Sequence, residues 1–133
     1  MLSMAIQRLN NKDFGVLKNP GVTSTQIVWG KNSPEARVTI TRVTIEPGAT
    51  QERHTHEAAE QIWLVEQGNG ELLVSNGSSE PLAEGDVVRT PPGDVHGLKN
   101  VGTTDLIYLS VTTPPQDYSG AYENTNDSAP VGI

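Results

Sequence analysis

The histidines of this chain are few and concentrated. Of the three in the sequence, His54 and His56 stand one residue apart, and His96 follows a Pro-Pro-Gly turn. On an extended strand, residues i and i+2 point to the same face, so the first two imidazoles would project side by side. Two neutral imidazoles on one face make a good bidentate grip on a divalent metal ion. A further oxygen ligand would come from Glu60 or Gln61, and the spacing therefore predicts a metal site.

The alternative is that the first two histidines are a solvent-exposed pair and the third is an ordinary loop histidine. For an isolated H-x-H in a β protein, that alternative is the more frequent outcome. Trp63 and Tyr108, aromatic residues close to this region, would either line a pocket or pack in the core. The choice between these interpretations depends on the wider pattern of the chain.

Short apolar runs separated by glycine, proline and asparagine indicate the strands that would position these side chains. The run at 36–45 alternates apolar and polar residues with a change of parity at Thr41-Arg42, which predicts a bulge or a change of strand. The apolar run at 62–65 predicts a strand buried on both faces. A last clear strand lies in the segment 105–115. Seven or more short strands, with turn signals roughly every 8–12 residues, predict an all-β sandwich or barrel.

The spacing of the motif residues resembles that of the cupin family over residues 35–112. The family's first motif is a glycine, five residues, H-x-H, three or four residues, a carboxylate ligand, six residues and a glycine; the corresponding positions here are Gly48, His54, His56, Gln61 and Gly68. The second motif is a glycine, five residues, P-x-G, two residues, a histidine, three residues and an asparagine; it is matched without a gap by Gly85, Pro91, Gly93, His96 and Asn100. The 16 residues between the motifs are typical of small single-domain microbial members. Every histidine of the chain therefore falls on a family ligand position.

One position departs from the family pattern. Gln61 replaces the usual glutamate if the family spacings from His56 and to Gly68 are both kept. Glu60 keeps a three-residue gap from His56 but leaves seven residues before Gly68. Adjacent residues on a strand face opposite ways, so only one of the two enters the site. We favour Gln61, because the segment is similar to small cupins in which glutamine ligates through its amide oxygen. Such a ligand adds no negative charge, so the bound ion keeps more Lewis acidity.

The resemblance implies a double-stranded β-helix, a jelly-roll barrel, formed by one domain over residues 1–133. Residues 1–34 would form an N-terminal arm, and 113–133 a tail that folds over the barrel mouth or reaches a partner subunit. The resemblance also implies a homodimer, which would cover exposed sheet edges. Three imidazoles and one oxygen suit one divalent transition metal, Mn, Fe, Ni, Co, Cu or Zn, and the sequence does not choose among them.

The composition narrows the function classes. A net charge of −7, with scattered lysine and arginine, disfavours nucleic acid and anionic membranes as partners. The absence of cysteine excludes disulfides and thiolate metal sites. The start resembles no signal peptide, and no window approaches the roughly 18 apolar residues of a membrane span. A cytoplasmic protein with a small-molecule ligand or substrate is the resulting expectation.

The fold named by the resemblance hosts many reactions, so it does not specify one. Our first hypothesis is a metal-dependent enzyme that acts on a small oxygen-bearing organic molecule, as a dioxygenase or as a lyase or isomerase. The alternative is a non-catalytic module that binds a small molecule or sugar. A storage role is less consistent with the sequence, because storage members typically lose the histidines retained here.

Overall fold

The computed structural model describes residues 6–125, so the last residues of the predicted tail lie outside this range. Strands dominate the described chain, and the only helices in it are three single turns of 3-10 helix at Asn11–Asp13, Ser75–Gly77 and Ser119–Ala121. The strands are β1 (Gly15–Asn19), β2 (Val22–Val28), β3 (Thr39–Ile45), β4 (Thr50–His54), β5 (Glu60–Gln67), β6 (Asn69–Leu73), β7 (Ser79–Ala83), β8 (Val87–Thr90), β9 (His96–Asn100), β10 (Leu106–Thr113) and β11 (Asn124–Thr125).

These strands form two antiparallel sheets. The larger sheet has the order β11-β1-β2-β3-β10-β5-β8, and the smaller has the order β4-β9-β6-β7. Neighbours in each sheet are often distant in sequence, as when β3 pairs with β10 and β4 pairs with β9. This crossing pattern is that of a jelly roll. The all-β, double-stranded β-helix prediction is confirmed.

The predicted change of parity in the third strand is wrong. β3 is one unbroken strand whose buried and half-buried residues alternate from Thr39 to Ile45. Its inner face is polar at Thr39 and Thr41 and apolar at Val43 and Ile45, and this change of polarity looks in the sequence like a change of parity. The register shift lies instead in its neighbour β2, between Gln26 and Val28.

The inner face of the larger sheet is divided into an apolar end and a polar end. Residues aligned across β3, β10 and β5 match in character, because Ile45 pairs with Leu106 whereas Thr41 pairs with Ser110. Gln61 on β5 pairs with Thr112 at the polar end. The apolar end forms the core with members that include Trp63, Val65, Leu98, Leu106 and Tyr108. The polar end is therefore the part of the barrel available for a site.

The outer face of β5 is not buried in the single chain. Ile62 and Leu64 are 38% and 41% exposed, whereas Gln61, Trp63 and Val65 face inward. The prediction that this strand is buried on both faces is therefore wrong for the monomer, because nothing in the described chain packs on the outside of the larger sheet there. The homodimer that would cover this face stays a prediction.

The segment that the sequence analysis assigns to an N-terminal arm contributes to the larger sheet. Within it, β1 and β2 form a hairpin, and β2 pairs with β3 along most of its length. The segment after β10 also returns to this sheet, since β11 pairs with β1. Among the described residues, no helix combines the length and apolar character that a bilayer crossing requires.

Candidate metal centre

Three imidazoles converge at the polar end of the barrel. His54 at the end of β4 pairs with His96 at the start of β9, and His56 follows two residues later. The centroid of the His54 ring lies 4.3 Å from that of His96 and 5.0 Å from that of His56. One nitrogen of each ring lies within 4.8 Å of the others. The histidines that the sequence analysis groups together are therefore brought together by the fold.

Tight turns hold the two histidine-bearing segments against each other. The backbone N–H of Gly93, in the Pro-Pro-Gly turn before β9, donates to the carbonyl oxygen of His56 at 2.9 Å. Gly93 has φ +87°, a left-handed conformation that favours glycine. At Gly97, a Cβ atom would lie 2.8 Å from the carbonyl oxygen of Gln51 on β4. The second motif thus depends on glycine both for its turn and for close strand contact.

Backbone carbonyls fix the tautomers of two of these rings. Nδ1 of His54 lies 2.8 Å from the carbonyl oxygen of Glu52, and Nδ1 of His96 lies 3.1 Å from that of Asp94. A carbonyl oxygen only accepts, so each Nδ1 carries the proton and each Nε2 keeps its lone pair. Nε2 of His56 is buried and has no hydrogen-bond partner among the described residues. All three Nε2 atoms are therefore suited to bind a metal ion.

The amide of Gln61 is held in one orientation. Its oxygen accepts from Nε1 of Trp63 at 2.9 Å, and its nitrogen donates to the hydroxyls of Thr112 at 3.0 Å and Tyr118 at 2.6 Å. Gln61 is 4% exposed and faces inward. Glu60 instead faces outward, where its carboxylate forms an ion pair with Arg89. Of the two alternatives for the oxygen ligand, only Gln61 reaches the histidine cluster.

The arrangement of lone pairs at the centre fits a cation. Oε1 of Gln61 and Nε2 of His96 lie 3.0 Å apart, although neither atom carries a hydrogen to donate to the other. Two ligand atoms bound to one transition metal at about 2.1 Å, at right angles, are separated by about 3 Å. Three imidazole nitrogens and a neutral amide oxygen are donors that divalent transition metals accept. The residues present therefore fit the predicted metal.

Burial favours the neutral form of His56 and His96. Burial, and then the charge of His54, lower the pKa of His96 to about 4 from its ordinary 6.5. The same two causes lower the pKa of His56. Neutral imidazoles are the form that a metal binds. His56 and His96 are therefore in the metal-binding form at neutral pH.

These pKa values predict acid sensitivity of the metal-free protein. Because the folded pKa of His96 lies below the unfolded one, the unfolded chain takes up a proton between pH 6.5 and 4 while the folded chain does not. Stability is thus lost as the pH falls through this window and levels off below it, at a cost of about 3 kcal/mol. Urea unfolding of metal-free wild type and His96→Ala at pH 7 and pH 4 measures this contribution of His96 to the free energy of unfolding. A stability difference between the two proteins that is independent of pH would contradict it.

A cavity of about 690 Å³ opens beside the cluster. Its wall includes His54, His56 and Gln61, together with residues of the segment that follows β10. From that segment, Tyr118 and Tyr122 line the cavity, and the ring of Tyr118 lies 5.8 Å from that of His56, centroid to centroid. The described part of the tail therefore contributes to the cavity wall beside the histidines.

Most of the residues in the cavity wall are not predicted from the sequence. Tyr118 and Tyr122 lie in a polar segment without a motif, and their aromatic character amid Gly and Ser was the only signal. Trp63 and Tyr108 prove to be core residues with polar roles: Trp63 orients Gln61, and the Tyr108 hydroxyl donates to the side chain of Gln51. Tyr108 therefore both packs in the core and lines the cavity, whereas Trp63 packs in the core.

The comparisons with known proteins agree with this geometry. A cupin domain model matches residues 41–112, more than half of the chain. The oxalate-binding protein of Thermotoga maritima is 36% identical over 70 residues, 53% of this chain and 57% of that protein. The chain spans about half the length of the first curated relatives it matches.

Solved structures show the same fold. A crystal structure from Thermotoga maritima, described as a predicted oxalate decarboxylase, has a TM-score of 0.63 and 28% identity, covering 70% of this chain and 80% of that one. An uncharacterized protein with a double-stranded β-helix domain from Klebsiella pneumoniae has a TM-score of 0.70 and 24% identity, covering 87% and 92%. Fold, motif spacing and the matched family model lead to one conclusion: the chain belongs to the cupin family.

Proposed function

We propose that this protein is a metal-dependent enzyme acting on a small oxygen-bearing organic molecule, with His54, His56, His96 and Gln61 as the metal ligands. The observation that supports the proposal is that one nitrogen of each imidazole lies within 4.8 Å of the others, with the Gln61 amide oxygen 3.0 Å from Nε2 of His96, beside a cavity of about 690 Å³. Sites for small molecules typically measure roughly 300–1,000 Å³. A purely structural ion would need no such cavity beside it.

The reaction class that this site favours is that of a lyase or isomerase. When bound, a divalent ion would polarise a carbonyl or hydroxyl oxygen of the substrate. Because Gln61 is neutral, no carboxylate of the ligand set reduces the charge of that ion. Burial raises the pKa of Tyr108, Tyr118 and Tyr122, so their hydroxyls stay protonated and add no charge to the cavity wall. A dioxygenase remains the other catalytic proposal.

The alternative function is that of a binding module without turnover. It is favoured by the relative from Thermotoga maritima, which is named for binding oxalate and not for a reaction. Both proposals require the same ion and the same cavity. They differ in whether a bound molecule is converted.

Metal loading gives the test that all versions of the proposal share. We expect protein purified without a histidine tag to bind one divalent ion, and the ion to stabilise the fold by about 2.7 kcal/mol at a free concentration 100 times its Kd. Elemental analysis and thermal unfolding with each of the six metals measure these quantities. Failure of every metal to bind in stoichiometric amount contradicts the proposal.

Turnover separates the reaction classes. Metal-loaded protein incubated in D₂O with small hydroxyketones and hydroxyacids is examined by proton NMR, alongside an oxygen electrode. We expect deuterium exchange at a carbon next to a carbonyl, dependent on the metal and without oxygen uptake. Metal-dependent oxygen uptake supports the dioxygenase version, and saturable binding without conversion supports the binding module. The chelator-treated protein is the matched control.

A further inference from the structure

The cavity wall formed by β2, β3 and β10 is rich in hydroxyl groups. Ser24 on β2, Thr41 on β3, and Tyr108 and Ser110 on β10 all line it, together with Tyr122 from the tail. These side chains offer hydrogen-bond donors and acceptors but no charge. The wall is therefore suited to hydroxyl and carbonyl groups of a ligand.

Cationic side chains contribute little to this wall. Arg53 is the only lysine or arginine among the lining residues, and its guanidinium donates to the carbonyl oxygens of Val74 at 2.8 Å and Ser78 at 2.9 Å. Residues 1–5 and 126–133, outside the described range, contain no lysine, arginine or histidine in their sequence. The acidic lining residues Glu52, Asp117 and Glu123 are exposed and add negative charge to the cavity. Away from the histidines, the only cationic side chain that a ligand carboxylate would meet in the lining is therefore Arg53, which is already bonded to two backbone carbonyls.

One hydroxyl of the wall lacks a partner. Ser110 is 3% exposed, lines the cavity, and its buried Oγ makes no hydrogen bond with the described residues. A buried polar group without a partner is costly and rare in native proteins. A ligand hydroxyl or carbonyl in the cavity would satisfy it. Ser110 therefore points independently to a polar, uncharged ligand group at this wall.

We propose that the cavity selects a small hydroxylated carbonyl compound with at most one carboxylate, whose hydroxyl groups bind Ser110 and the neighbouring tyrosines. This inference rests on the proposed function, because the carbonyl or carboxylate end of the compound faces the histidine cluster. A second carboxylate at the hydroxyl-rich wall, away from the histidines, is excluded, since a buried charge without a partner is strongly unfavourable. The volume of about 690 Å³ also exceeds what a two-carbon dicarboxylate fills.

A matched ligand series tests this selection on the Zn²⁺-loaded full chain. Erythrulose, threonate and tartrate are hydroxylated four-carbon compounds that carry no, one and two carboxylates. Oxalate is the control ligand, because it chelates a metal ion without reaching the far wall. Dissociation constants are measured by isothermal titration calorimetry for wild type, Ser110→Ala and the control Ser79→Ala, whose residue is exposed on β7. Circular dichroism of each variant reports folding.

We expect threonate to bind about tenfold more tightly than tartrate. Ser110→Ala should weaken threonate binding about 2- to 10-fold, the effect of one lost hydrogen bond, and leave oxalate binding unchanged. Ser79→Ala should change neither. Tartrate binding as tight as that of threonate, no binding of erythrulose or threonate, or an equal loss of oxalate affinity in Ser110→Ala would overturn the inference. Failure of Zn²⁺ and of the five other metals to bind would instead show that the proposed metal function is wrong.

Discussion

His96→Ala should abolish stoichiometric binding of a divalent transition metal. His96 is 2% exposed, and its Nε2 lies 3.0 Å from the amide oxygen of Gln61, so the variant removes the buried nitrogen that joins the imidazole pair to the oxygen ligand. Loss of a group that merely orients a ligand typically lowers metal affinity roughly 10- to 100-fold. Loss of a direct ligand should therefore lower it by at least ~100-fold. Competitive titration against a chromogenic chelator measures the affinity.

The folded state of His96→Ala is checked without metal. The variant removes a side chain from a buried position and leaves a small cavity, so a modest loss of stability is expected at pH 7. Thermal unfolding of both metal-free proteins separates that loss from the loss of metal binding. Metal affinity equal to that of wild type, in a variant that is folded, would show that the ion is bound somewhere other than at the histidine cluster.

Motif spacing predicted the members of the cluster because local rules governed their placement. His54 and His56 lie two residues apart at the end of a strand, and the Pro-Pro-Gly turn delivers His96 to the strand beside it. Strand alternation allows only one of Glu60 and Gln61 to face the site, the family resemblance favours Gln61, and the structure places Gln61 inward. These features depend on a few neighbouring residues, and the sequence carries them directly.

The cavity wall could not be predicted in the same way. A strand such as β3, which is apolar at one end and polar at the other, has no constant hydrophobic period. In the sequence, its polar inward residues Thr39 and Thr41 therefore resemble a change of parity. Tyr118 contacts Gln61 across 57 positions of sequence, through a segment without regular pattern. The outer face of β5 gives a second error. Its apolar residues Ile62 and Leu64 predict burial, but both are partly exposed in the structure. Such features are set by tertiary packing and by the needs of the site.

Gln61→Glu should raise metal affinity and lower the stability of the metal-free protein, whereas Glu60→Gln should do neither. The two variants change adjacent residues, each by one charge, on opposite faces of β5. At position 61 a carboxylate would replace the amide oxygen 3.0 Å from Nε2 of His96, and its charge would attract the ion directly. We expect an increase in affinity of at least ~10-fold. At position 60 only the ion pair with Arg89 on the surface is lost, which contributes about 0–1 kcal/mol.

The cost of Gln61→Glu without metal follows from burial. Residue 61 is 4% exposed, so an ionised carboxylate there loses its hydration. Trp63 would still donate to it, and the hydroxyls of Thr112 and Tyr118 can turn to donate as well. These bonds offset part of the penalty, which leaves a destabilisation of roughly 1–3 kcal/mol. Urea unfolding with and without metal, together with chelator competition, measures both effects. Equal metal affinities for Gln61→Glu and Glu60→Gln would mean that residue 61 does not touch the ion.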